Sequence, residues 1–449
     1  MRISIDRDSS IPIYSQIEAE IKKNILNNVL VYGTRLPSER RQASNLGVHR
    51  NTVIRAYKNL ADQQLISSDF EGRKGYFVIF GGNNAQAPPP FKKHTAVFRY
   101  SREVNQYATI FDQIYSASFS EGYISFGGHV LPKELIPLKE IKEVLFSVVE
   151  RRGADAFFHC SSTGSLELRQ QLSHTLLEDG VRVTPGKIVI INEAVQGLEY
   201  VSKLLAAKHE YVISETPIMP DTFTIFQNQG LRVLTAPLEE DGVNLVELEN
   251  LIRQYRPKFF HTMPDYHAIT GACMSLEKRY ALLEVARKYD VPLVEERWHA
   301  DISFTNDVLP SLYALDRREN VICIDAALTH FYYGARICYL LAPTDMARRI
   351  SKIISTSLIH LPSLEQAMFA EYLDRGYHIQ QRKNMNCFYR EKCRRLYEAL
   401  EPLRALGLFA EKPQGGLGLW CRLPNGVNDM SLYKNLRNRG VLICPGKLF

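Results

Sequence analysis

The sequence is poor in the features that build secreted or membrane proteins. Its eight cysteines form no C-x-x-C pair and no ligand spacing with histidine. That argues against a disulfide framework and a zinc site, and in favour of a reducing compartment. No run of about 18 apolar residues occurs, so no membrane-spanning helix is expected. The start, Met1-Arg2-Ile3-Ser4-Ile5-Asp6-Arg7, lacks an apolar signal core. No module repeats. Excess charge of one sign is scarce too: a net +6 over 449 residues is only mildly basic and does not imply a chain-wide polyanion-binding surface. What remains is a chain with 45% hydrophobic residues, enough for two or three domains with real cores, expected to be soluble and cytoplasmic.

Basic residues are concentrated in one place. Between positions 31 and 60 lie Arg35, Arg40, Arg41, Arg50, Arg55 and Lys58 against the single carboxylate Glu39. Pro37 and Ser38 suit the start of a helix, and Gly47 suits a tight turn into a second one. That second helix carries His49, Arg50, Asn51, Thr52 and Arg55 early, with Val53, Ala56 and Leu60 turned to a core. A recognition helix is built this way, because arginine reads guanine and asparagine reads adenine from the major groove. Ile13, Ile17, Ile21 and Ile25 predict a covering amphipathic helix ended by Val31–Thr34. Leu65–Ser68 and Gly75–Ile79 predict two strands around the turn Glu71-Gly72-Arg73-Lys74, a wing. Arg40 and Arg50 are candidates for base or phosphate contact, Asn51 and Thr52 for base edges or adjacent phosphates, and Arg73 and Lys74 for the wing tip. Arg35 and Arg55 are read as backbone positioners.

Glycine, amide and proline residues from Gly81 to Pro90 mark a linker. From about residue 110, short apolar runs alternate with helix-length segments: Lys187–Ile191, Tyr211–Ser214, Phe259–Thr262, Val291–Val294 and Val321–Ile324, with Leu276–Tyr289 as one such helix. Strands apolar on both faces predict a mainly parallel sheet covered by helices. The expected organisation is an α/β chain: a winged helix-turn-helix at 1–80, a linker at 81–109, a large domain at 110–345 and a small α+β subdomain at 346–449.

The N-terminal passages Arg35-Leu36-Pro37-Ser38-Glu39-Arg40 and His49-Arg50-Asn51-Thr52-Val53-Ile54-Arg55-Ala56-Tyr57 resemble the GntR family, with His49 where the pattern has serine. Gly164–Arg169, Thr270–Arg279 and Gly334–Tyr339 resemble a fold-type I aminotransferase. Together they resemble the MocR-like branch of GntR regulators over essentially the whole chain. The resemblance implies double-stranded operator DNA, a second copy of the chain in a homodimer, and a scaffold that in relatives holds pyridoxal phosphate (PLP) on a lysine. It also implies a further strand after Phe449 with an arginine for a substrate carboxylate, so the small subdomain is read as shortened.

The cofactor positions depart from that pattern. Anchored on Gly334 and Arg336, the lysine position falls on Thr329, and no lysine occurs between Lys288 and Lys352. Threonine cannot form an imine. Glu193 stands in the phosphate cup, Met219 replaces the ring-stacking aromatic, Glu296 lengthens the acid that faces the pyridine nitrogen, and Trp298 replaces a tyrosine. Arg336 is left as a phosphate ligand or a structural ion-pair partner. No catalytic residue, metal ligand or covalent cofactor is expected. PLP held non-covalently through Arg336 and Glu296 stays open, as does an active aminotransferase as the least favoured reading. His330, Tyr332, Tyr333, Trp298, Glu296 and Arg336 either line a remodelled effector pocket or fill it as core.

Overall fold

A computed structural model describes the chain apart from residues 1–2, 4, 28, 71, 81–105, 121, 128–131, 306–307, 327–330 and 358–360, and the side chains of 106–108 and 333. The chain divides into two compact units, Met1–Arg102 and Glu103–Phe449.

In the first unit, helix α1 (Ile13–Leu26) stops earlier than the expected Val31–Thr34 turn, while α2 (Glu39–Leu46) and α3 (Arg50–Asp62) form the predicted pair. Ile17, Ile21 and Ile25 of α1 are buried with Val53, Ala56 and Leu60 of α3. Each of the isoleucine, valine and leucine side chains contributes about 1.5–3 kcal/mol by leaving water. Gly47 turns the chain between α2 and α3 at φ +61, a left-handed conformation that costs other residues a Cβ clash. The Tyr57 hydroxyl donates to the Pro37 carbonyl at 3.0 Å and pins the start of α2 to α3. The wing is an antiparallel pair, β1 (Ile66–Phe70) and β2 (Arg73–Val78).

The second unit is built on an eight-stranded sheet among the described residues, in the order Ile188–Ile191, Cys338–Leu341, Val321–Ala326, Leu293–Arg297, Phe260–Thr262, Tyr211–Thr216, Arg232–Glu239, Gly242–Val243. It is mainly parallel. Cys338–Leu341 runs antiparallel between its two neighbours, and Gly242–Val243 closes the far edge antiparallel. One core lies against helices Leu138–Arg152, Leu166–Glu178 and Ser363–Asp374, another against Ala194–Leu205 and Thr344–Thr356. Gly164 sits at φ +89, and a Cβ there would meet Ile190 Cγ1 at 2.3 Å, so only glycine fits that turn. Near the end of the chain, Val441–Leu442 pairs in parallel with Ile124–Ser125, and Phe449 packs edge-on against Phe111. All eight cysteines are free. No described helix is long and apolar enough to cross a membrane.

Candidate functional site

In the first unit α3 opens at Arg50, so His49 is its N-cap rather than part of the helix. Its Nδ1 accepts the Asn51 N–H at 3.3 Å, a capping bond of the kind that a serine hydroxyl can also make. Ser38 caps α2 in the same way, accepting from Arg41 N. With both helices capped, His49, Arg50 and Asn51 are exposed at the start of α3, as is Arg40 on α2, while Thr52 is half-buried. Exposed Arg50 lies 3.7 Å from Oε2 of half-buried Glu39, a long pair that a base or phosphate can displace. The Arg55 guanidinium lies 3.9 Å over the Tyr14 ring, which fixes its direction by a cation–π contact. Arg35 donates to the Lys74 carbonyl and joins Ser38 and Tyr76 in a cleft of about 280 Å³ between α2 and the wing. Arg73 and Lys74 are exposed on the first residues of β2, beyond Gly72.

This arrangement makes a direct prediction. Arg50→Ala should lower the preference for the true operator over random DNA by about 1–3 kcal/mol. Competition binding at fixed salt measures it. An equal loss on both DNAs would mean that Arg50 grips only phosphate.

In the second unit, five of the six positions that depart from the cofactor pattern are in view. Glu193 precedes helix Ala194–Leu205 and pairs directly with Arg336. Gln196 Oε1 accepts the Asn192 N–H at 3.0 Å, so a second polar side chain at this helix start is also turned back on the chain. Glu296 ends on a buried imidazole: His261 Nε2–H donates to its Oε2 at 2.8 Å. The Ser214 hydroxyl lies 3.0 Å from His261 Nδ1. Asp221 stands close enough for Glu296 to act on its titration. Burial first, and the Glu296 charge second, push its carboxyl up to about 6. Met219 is the residue before helix Pro220–Asn228, where it offers no ring face. Trp298 packs partly buried against a hydrophobic core, and its indole N–H is unpaired. Phe331 and Tyr332 are packed into the other core. Thr329 and His330 lie outside the described residues, as does the Tyr333 side chain.

Sequence reasoning did not single out His261, Asp221, His267, Asp265, Arg279 or Arg297. The last three form a buried chain of charge: Arg279 Nη2 to Asp265 Oδ1 at 2.6 Å, Arg297 Nε to Asp265 Oδ2 at 2.8 Å, and Arg297 Nη1 to Asp325 Oδ2 at 3.2 Å. Ionisable residues inside apolar strand runs, as in Phe259-Phe260-His261 and Val294-Glu295-Glu296-Arg297, were the available signal, because a buried charge needs a partner. Glu295 is one such residue. Burial raises its carboxyl to about 7 even though it accepts the Leu312 and Tyr313 N–H groups. No group of three or more metal-binding side chains gathers among the described residues.

Comparison with known proteins gives two family matches: bacterial regulatory proteins of the gntR family over residues 13–78, and aminotransferase class I and II over residues 131–449. The HTH-type transcriptional regulator YisV of Bacillus subtilis is 26% identical over 99% of this chain and 90% of its own. The regulator TauR of Rhodobacter capsulatus is 26% identical over 96% and 88%. Among solved structures, the alpha-aminoadipate aminotransferase LysN of Thermus thermophilus superposes with a TM-score of 0.70 at 24% identity, covering 77% of this chain and 88% of that one. The second unit therefore has the aminotransferase fold.

Proposed function

The chain belongs to the aminotransferase class I and II family, with a gntR-family domain ahead of it, and from that premise we propose a DNA-binding transcription regulator of the MocR-like kind whose aminotransferase-like part no longer performs transamination. That part serves dimerisation and effector sensing. The observation that carries this reading is the self-pairing of the old site. Arg336, the cation suited to a cofactor phosphate, is taken by Glu193, and Glu296, the acid suited to a pyridine nitrogen, is taken by His261. A carboxylate beside a phosphate is repulsive, and no lysine lies between Lys288 and Lys352. The residues present do not fit PLP, and holding it without an imine would require both pairs to open first.

A second copy of the chain fits the paired half-sites that helix-turn-helix proteins read. Phe146, Phe157, Phe158 and Leu166 are 71%, 65%, 72% and 56% exposed in the single chain, apolar side chains that contact with a second copy would take out of water. An operator as partner and eight free cysteines support a cytoplasmic location.

The test is operator binding by fluorescence anisotropy, with and without PLP, beside an absorbance spectrum taken after gel filtration. Specific binding, unmoved by PLP and with no visible band retained, is the expected result. A PLP-dependent change in operator affinity would overturn the reading of the site.

A further inference from the structure

Helix α1 holds the recognition helix by more than its apolar face. Along α3, Asn51, Arg55 and Asn59 follow one another at a four-residue step, and Gln63, the C-cap, continues the ridge. On α1, Tyr14, Glu18 and Lys22 form a matching ridge. The two meet rung by rung. The Tyr14 ring takes the Arg55 guanidinium at 3.9 Å. Glu18 Oε2 accepts from the Asn59 amide at 2.7 Å, and its Oε1 accepts from the Gln63 amide at 2.6 Å. Lys22 Nζ donates to Gln63 Oε1 at 2.8 Å. The Glu18–Asn59 and Lys22–Gln63 rungs both span 41 residues, so the helices keep one register along the seam.

Apolar burial is non-directional. Ile17, Ile21 and Ile25 against Val53, Ala56 and Leu60 set the distance between the helices but leave α3 able to roll about its axis. The ladder removes that freedom, because a hydrogen bond holds a direction as well as a distance. Of the ridge on α3, Asn51 alone lies beyond the rungs, exposed at the helix start where bases are read. Exposed Arg55 stands one turn behind it. We propose that Tyr14 is a positioning residue for DNA binding. Its ring holds the Arg55 guanidinium against a backbone phosphate, and with the Glu18 rungs it sets the roll that aims Asn51 at a base edge. This role rests on the regulatory reading and adds to it α1, which carries none of the candidate DNA contacts.

The experiment selects a duplex from a random pool with the full-length protein, then measures binding of that duplex and of a random one across a salt series. Arg55→Gln should lower the slope of log affinity against log salt by about 0.9 on both, the share of one phosphate. Tyr14→Leu and Tyr14→Met keep apolar bulk without a ring, so a fold defect in one does not decide the test. Each should weaken the selected duplex about two- to fivefold, the strength of an exposed cation–π contact. In the Arg55→Gln background they should do nothing further, and Tyr14→Phe should bind as the parent does. Glu18→Ala should weaken the selected duplex more than the random one, because roll matters only where bases are read. Additive losses at Tyr14 and Arg55, an unchanged slope in Arg55→Gln, a Tyr14→Phe as weak as Tyr14→Leu, or an equal loss on both duplexes in Glu18→Ala would overturn the proposal. A parent that selects no duplex would sink the regulatory reading itself, whereas additive losses on a selected duplex would sink this role for Tyr14 alone.

Discussion

Asp265→Asn should destabilise the aminotransferase-like unit by about 3–5 kcal/mol, the usual cost of leaving a buried charge without its partner. Asparagine has nearly the same size, so no cavity confuses the result. What is lost is the negative charge between Arg279, whose guanidinium is fully buried, and Arg297. Arg279 keeps the Met274, Pro264 and Pro310 carbonyls as acceptors, but carbonyls do not neutralise it. Urea unfolding of both proteins, followed on the transition of this unit, measures the difference. Burial alone would raise the Asp265 carboxyl, yet Arg297 and Arg279 hold it below its ordinary value. A lowered carboxylate stabilises above its unfolded pKa and loses that contribution as pH falls, so the gap between the two proteins should narrow below about pH 4. Asp345→Asn, which breaks the exposed Arg349 pair on one helix, is the control and should change nothing measurable. If both substitutions behave alike, the buried chain of charge contributes no more than a surface pair.

How much of this was legible in the sequence follows from how far each signal reaches. The recognition helix was legible because its information is local. Val53, Ala56 and Leu60 share one face, and the polar readers precede them within a turn. Helix Leu276–Tyr289 was legible for the same reason. Arg232–Glu239 was not, since it lies near the sheet edge with one side open and does not form an apolar run. Nor was the reversed strand Cys338–Leu341, because direction within a sheet leaves no mark on a four-residue apolar segment. The site was half legible. Glu193, Met219, Glu296 and Trp298 could be seen as departures from a pattern. Which group each one pairs with could not, because Glu193 and Arg336 are 143 residues apart and His261 and Glu296 are 35 apart. A pairing across strands is a property of the fold, and only after folding do the changed residues close into an ion pair, Glu193 with Arg336, and a hydrogen bond, His261 to Glu296, rather than separate losses.

Those pairs raise the question of whether the old site is sealed, and His267 answers it through pH. It is buried, its Nδ1 lies 3.2 Å from the Thr270 hydroxyl, and burial, reinforced by His261, pulls its imidazole down to about 3. The unfolded chain takes up a proton near pH 6.5 that the folded chain refuses. Stability is therefore full above that value and falls by up to about 1.4 kcal/mol for each pH unit below it. Asp221 and Glu295 work the other way: their raised pKa values, about 6 and about 7, mean that the fold gains as pH falls through them. A single stability profile sums these opposing terms, so the informative quantity is the difference between parent and His267→Gln. That difference should shift in favour of the variant by about 2 kcal/mol between pH 7.5 and pH 5, read from urea midpoints at both values. An imidazole that instead titrates near pH 6.5 by proton NMR would be in contact with water, and the space beneath Thr270 would then be open to a ligand. A sealed, neutral His267 excludes that route and directs the search for an effector to the surface of the unit.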